Sequence, residues 1–224
     1  MNDRLHWARE SGGTNARNLN NFALDAIQGG LRSATALLDV GCGQGELGRL
    51  IRSRFGHKAD AIDIVRHDQL DPDTYRRIDF MNLDALTDCP GRFYDVIFAV
   101  EVIEHLECPR RFIRHMASWL RPDGRLVVTT PNIASLTNIG TLLVAQQFRD
   151  FRDGAGMYPC HISPILAEDL CRMMRESDLL VDGTSYCGRG RIPFAVRDWQ
   201  SFLPMAHGRL FSDNVRIVGR RSPE

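Results

Sequence analysis

Residues 37–45 read LLDVGCGQG: a short apolar run that closes on Asp39, then glycines at 41, 43 and 45 leading into helix-forming sequence. Glycine lets the backbone turn tightly and approach a ligand with no side chain in the way. The spacing is G-x-G-x-G with an acid two residues upstream, which differs from the G-x-G-x-x-G dinucleotide fingerprint. No G-x-x-x-x-G-K-[ST] phosphate loop occurs in the chain. An acid ahead of such a loop repels a pyrophosphate and suits a ligand carrying a cationic amino group and a sulfonium.

Outward from this loop, apolar runs alternate with amphipathic stretches. TALLDV (35–40), ADAIDIV (59–65), RRIDFM (76–81), YDVIFAV (94–100) and RLVVTT (125–130) read as strands. GELGRLIRSRF (45–55) presents Leu47, Leu50, Ile51 and Phe55 as one helical face, and PRRFIRHMASWL (109–120) opens a helix on Pro109. YDVIFAV is almost continuously apolar, as expected of a strand covered on both faces. The rhythm predicts parallel crossover units and a doubly wound α/β sheet. A helix is expected over 16–28 with Leu19, Phe22, Ala23, Ala26 and Ile27 on one face, RPDG (121–124) reads as a turn, and strands are expected near 179–186 and 213–219. The pair Ser163-Pro164 predicts a helix opening in cap-then-proline manner.

Residues 132–158 break the rhythm and read as a lid inserted after a strand end, where α/β proteins place binding loops. Its helix is expected to turn Leu136, Ile139, Leu142 and Leu143 inward. Phe148, Phe151, Met157 and Tyr158 could enclose an apolar or aromatic group, or simply dock the lid on the core. The length of 224 residues predicts one domain over 1–224, with an N-terminal helical segment at 1–30 and the lid at 132–158.

The charge balance is 28 basic against 28 acidic side chains, and Lys58 is the single lysine. Neutrality excludes a general nucleic-acid binder. The arginine bias fits genomic base composition or bidentate anion recognition. Seven arginines (189, 191, 197, 209, 216, 220, 221) fall in 189–221 against Asp198 and Asp213, an excess that could meet an anionic acceptor or simply be solvated. No apolar run approaches a membrane span, and the first residues carry no apolar signal core. Six scattered cysteines without a C-x-x-C pair read as reduced thiols of a cytoplasmic protein.

Two further acids extend the loop's reading. Asp63 ends the second strand, where an open sheet places the carboxylate that accepts from ribose hydroxyls. Asp84, in NLDA (82–85), is placed to accept from an adenine amine with the Ala85 amide beside it. Together with FYDVIFAVEVIEHL and LRPDGRLVVTTPN, these motifs resemble class I S-adenosylmethionine-dependent methyltransferases, closest to the bacterial group around the ubiquinone-biosynthesis O-methyltransferases. The resemblance is tight over roughly residues 35 to 131. It implies a seven-stranded, mostly parallel, Rossmann-like sheet with a reversed last hairpin and S-adenosyl-L-methionine (SAM) across the strand ends. Gly41 and the Ala99–Val100 segment would hold the methionine part, with Asp39, Gly43 and Gly45 completing the donor loop.

The acceptor chemistry is expected at EVIEHL, just past the fourth strand. Methyl transfer from a sulfonium needs alignment above all, and a neutral hydroxyl also needs to lose a proton. Glu101, Glu104 and His105 share a face of a helical turn, and His161 comes from beyond the lid. His105 or His161 could be a general base. Alternatively, Glu101, Glu104, His105 and His161 could bind a divalent metal that lowers the acceptor's pKa, or the group could be scaffold. The E-x-x-E-H pattern with a distant His also resembles small-RNA terminal 2′-O-methyltransferases. The expected acceptor is a small molecule or a sugar- or lipid-linked group methylated at oxygen; a non-catalytic SAM-binding regulator is the rival from another class.

Overall fold

The computed structural model describes residues 13, 18–27, 35–86, 91–152, 161–193, 195 and 197–223. Seven strands form one sheet: β1 (Leu37–Val40), β2 (Asp60–Asp63), β3 (Arg77–Phe80), β4 (Tyr94–Val100), β5 (Leu120–Pro131), β6 (Leu179–Tyr186) and β7 (Asn214–Arg221). Their spatial order is 3-2-1-4-5-7-6. β1 to β5 are parallel, and β7 runs antiparallel to both β5 and β6, so the last hairpin is reversed. The chain moves outward from β1 to β3, then returns to place β4 on the other side of β1. That reversal opens a crevice at the carboxyl ends of β1 and β4, where open α/β sheets bind ligands.

Both sheet faces are covered, which explains the apolar runs. Leu38, Ile97 and Leu126 pack with Phe112, Ile113 and Met116 of α3 (Pro109–Ser118) and with Leu170 and Met174 of α5 (Ala167–Arg175). Their strand neighbours Leu37, Phe98 and Val127 point the other way, onto α1 (Leu19–Leu24) and α2 (Glu46–Phe55). Each such side chain removed from water contributes about 1.5–3 kcal/mol.

Four expectations change. The helix expected over 16–28 runs only from Leu19 to Leu24 and tightens into a 3-10 turn to Ile27, with residues 16, 17 and 28 outside the described set. The RPDG turn is part of β5: the pairing steps from Tyr94↔Leu120 to Val96↔Arg125, and Asp123 takes a φ of 61° to make that bulge. The helix expected at Ser163-Pro164 starts at Ala167. Ser163 instead ties an extended connection down, its Oγ donating to the Leu106 carbonyl at 2.7 Å and its amide to the Glu104 carbonyl at 3.0 Å.

The fourth change concerns the 132–158 insertion, of which residues 153–160, including Met157 and Tyr158, lie outside the described set. Its helix α4 (Leu136–Ala145) faces opposite to expectation. Leu142 and Ile139 are exposed, Leu143 is 79% exposed and Leu136 only partly covered, whereas Thr137, Asn138 and Thr141 are buried. The inward face meets loop carbonyls, not apolar sheet, so polar side chains are the ones that belong there. Asn138 Nδ2 donates to the Asn132 carbonyl (3.1 Å) and to Asp150 Oδ2 (2.8 Å), and the Thr137 hydroxyl donates to the Arg191 carbonyl. Ser135 caps the helix by accepting from the Asn138 amide at 3.2 Å. Urea unfolding should therefore show Leu143→Glu within about 0.5 kcal/mol of the parent. Asn138→Ala should cost about 1–3 kcal/mol, because it orphans buried acceptors.

Candidate functional site

The turn leaving β1 is built around backbone bonds to the neighbouring strand. The amides of Gly41 and Cys42 both donate to the Ile62 carbonyl (2.8 and 3.2 Å), and Gly45 closes the turn on the Cys42 carbonyl at 2.8 Å. Gly43 has a φ of 52°, and a Cβ there would lie 2.2 Å from the Gly13 carbonyl oxygen. That oxygen accepts from the Gln44 amide at 3.1 Å, so Gly13 lies directly on the loop. Sequence reading had no signal for this contact. Asp39, Gly41, Cys42, Glu46 and Val100 line a cleft here together with Gly13.

The three strand-end acids have different partners. Asp39 is buried and accepts from the Tyr75 hydroxyl at 2.5 Å. Burial raises its pKa to about 7, with Asp63 adding to the rise and the Tyr75 bond opposing it. The Asp63 carboxylate accepts from three backbone amides, Gly43 at 2.8 Å, Ile64 at 2.7 Å and Val65 at 3.2 Å, with His67 Nε2 3.9 Å away. Asp84 turns its carboxylate to the amides of Glu107 (3.0 Å) and Cys108 (3.2 Å), just ahead of α3, and its carbonyl accepts from Arg111. The Ala85 amide donates to the Asn82 carbonyl at 3.0 Å. Asp39 thus lines the cleft, Asp63 holds the loop, and Asp84 holds the start of α3 against the turn after β3. Ala99 and Val100 are fully or nearly fully buried at the end of β4.

Past β4 the chain bends at Glu101, which has a φ of 55°, a conformation costly for a residue with a Cβ. The bend is held by the Glu101 amide on Thr129 and by its carboxylate, which accepts from Thr129 Oγ1 (3.0 Å) and Asn214 Nδ2 (2.9 Å). Burial lifts the Glu101 pKa to about 7, the two hydrogen bonds opposing and Asp150 reinforcing the rise. Glu104 lies in the 3-10 turn Ile103–His105 with no exposed surface. One of its oxygens accepts from Thr130 Oγ1 at 3.2 Å; the other, Oε1, has no hydrogen-bond partner among the described residues and lies 4.0 Å from His161 Nε2. Burial, then Glu101, pushes its pKa well up.

The His105 and His161 rings meet edge to face with centroids 4.7 Å apart, and Phe151 of the insertion packs on His161 at 5.3 Å. Desolvation lowers the His161 pKa, with a backbone hydrogen bond at Asp150 opposing the shift. Ligand atoms of Glu104, His105 and His161 all lie within 4.8 Å of one another. Of the four metal candidates the structure gathers three, with Glu101 alongside but bound to Thr129 and Asn214. Asn214 and Asp150 are the residues that sequence reading missed, as neither stands in a motif.

The arginines late in the chain are mostly spent on the fold. Arg191 pairs with Asp213 (2.8 Å), Arg209 with Glu168 (2.8 Å) and Arg220 with Asp182 (3.2 Å). Arg221 donates to the Leu120 carbonyl, while Arg216 and Arg197 lie over the rings of Phe22 and Phe202. Among the described residues no helix is long and apolar enough to cross a membrane.

The strand order, the reversed hairpin and the acid-led glycine loop at the switch point define the Rossmann-like class of SAM-dependent methyltransferases. Residues 7–182 match the methyltransferase domain family, and the chain belongs to it. It is 30% identical over 122 residues to the mitochondrial ubiquinone biosynthesis O-methyltransferase of Schizosaccharomyces pombe, a match covering 51% of this chain and 44% of that protein. It is 27% identical over 119 residues to the enzyme of the same name from Rickettsia felis, covering 51% and 48%. The match thus spans less than half the length of either relative. A SAM-dependent methyltransferase from Archaeoglobus fulgidus has the same fold, with a TM-score of 0.63 at 17% identity over 92% of this chain and 95% of that one.

Asp63→Ala would free the Gly43, Ile64 and Val65 amides together. Calorimetric titration with SAM should show affinity reduced by at least about tenfold, with a lowered melting temperature. Unchanged affinity would remove Asp63 from the donor site.

Proposed function

We propose that this chain transfers the methyl group of SAM to an oxygen of a small-molecule acceptor. The observation that carries the reading is the cluster of buried Glu104 with half-buried His105 and His161, Glu101 alongside, immediately beyond β4 and beside the end of the strand that also borders the cleft. The shared names of the curated relatives favour oxygen as the site of transfer. In this reading Asp39, Gly41, Gly43 and Gly45 receive the donor along with Ala99 and Val100. Asp63 and the Asp84–Ala85 turn frame its adenosine end.

The sulfonium is already an activated leaving group, so the protein's main task is in-line alignment in a dry site. The remaining task is removal of the acceptor's hydroxyl proton. His161, half-buried and with its pKa lowered by desolvation, is suited to accept it, with Glu104 Oε1 4.0 Å away. The same residues fit a divalent cation: Glu104 Oε1 is a buried oxygen without a hydrogen-bond partner, and two imidazoles lie within reach of it. Glu104, His105 and His161 would hold such an ion, with Glu101 beside them, and it would lower the pKa of a bound hydroxyl. The insertion, through Phe148 and Phe151, supplies an apolar wall toward His161.

Incubation with methyl-labelled SAM and a metabolite extract, followed by mass spectrometry, should show label on a small-molecule oxygen; label on nitrogen only would overturn that part. Glu101 has a pKa raised to about 7, and burial pushes Glu104 well above the usual carboxylate range. A rate that needs Glu101 ionised will therefore fall as pH drops through about 7. Turnover in EDTA separates the two proton-removal routes. Loss with recovery on adding Mg²⁺, Mn²⁺ or Zn²⁺ supports the ion, and full activity in chelator leaves His161 as the base. His161→Ala should lower kcat by roughly 10²–10⁴-fold in either case.

A further inference from the structure

Tyr75 lies on the connection after β2, far from every sequence motif, yet its ring is buried against the donor loop. Its hydroxyl accepts from the Gly48 amide at 3.3 Å. The phenolic proton is then directed to the other neighbour, Asp39 Oδ2, at 2.5 Å. Gly48 sits inside α2, where glycine is disfavoured relative to alanine. A Cβ at Gly48 would lie 2.5 Å from Tyr75 Cε1 and Cζ. The missing side chain is thus the slot through which Tyr75 reaches across the helix to Asp39.

We propose that Tyr75 is a positioning residue of the donor site, holding the Asp39 carboxylate in place for the cationic amino group of SAM. It rests on the reading of Asp39 as the donor acid. Asp63 from β2 opposes the charge of Asp39, and Glu46 at the start of α2 lines the same cleft. Among the described residues no basic side chain is paired with Asp39. Among the described residues Tyr75 is the side-chain neighbour that favours the carboxylate, and the donor's ammonium would supply the countercharge.

The test is SAM affinity by calorimetry between about pH 6 and 8, with melting temperature recorded for each variant. In the parent, affinity should fall below about pH 7 as Asp39 takes up a proton. Tyr75→Phe should weaken binding about tenfold at pH 7 and move that acid limb to higher pH. The alkaline limb, set by the donor's own α-amino group, should stay in place. Asp39→Asn should flatten the acid limb, and adding Tyr75→Phe to it should cause little further loss. Gly48→Ala, which improves the helix while displacing the ring, should reproduce the Tyr75→Phe shift if Tyr75→Phe proves unstable.

A Tyr75→Phe protein with unchanged affinity and acid limb overturns the proposal. So does one that weakens the Asp39→Asn protein as much as the parent, since that marks general packing. If Asp39→Asn itself binds SAM as the parent does, the donor reading of Asp39 falls and the proposal with it.

Discussion

The amide of Gly43 donates to the carboxylate of Asp63, tying the turn after β1 to the end of β2. With Gly41 and Cys42 donating to the Ile62 carbonyl, this clamps the glycine loop across the carboxyl ends of two parallel strands. The loop's amides would otherwise be buried donors without acceptors. The left-handed φ values at 41, 43 and 45 are the geometry that lets them reach those acceptors. The cleft, the start of α2 and the approach of Gly13 to Gly43 all follow from it.

A second constraint shapes the chain just beyond β4. Half-buried Glu101 and buried Glu104 sit at a strained bend, held by Thr129, Thr130 and Asn214 from β5 and β7. Burying two carboxylates together costs stability unless partners or a cation offset it. The fold keeps them in place with hydroxyl and amide donors and leaves one oxygen of Glu104 toward His161. The sheet's antiparallel end therefore serves the site too, as β7 delivers Asn214 to a residue that follows β4.

Much of this was legible in the order of residues. The apolar runs marked the strands of a sheet covered on both sides, and acids at their ends marked its ligand edge. The insertion was misread because a period of 3.6 reveals two faces of a helix without saying which one faces the protein. In α4 the buried face meets loop carbonyls, so Asn138 and Thr141 went in and Leu143 came out. RPDG and Ser163-Pro164 have strong local preferences for a turn and a helix start. The first was absorbed into β5 as the bulge between its Leu120 and Arg125 pairings, and the second was overridden by anchoring to Glu104 and Leu106.

By itself the sequence determined the sheet, the glycine turn after β1 and the family, because those rest on short-range patterns: strand alternation, glycine φ and an acid two residues ahead of a glycine. Only the tertiary structure decided which acids reach the cleft and which are spent on the fold. The Asp39–Tyr75 bond spans 36 positions and the Glu101–Asn214 bond 113. A carboxylate takes the strongest donors within reach, and which donors those are is set by chain crossings that no local pattern encodes.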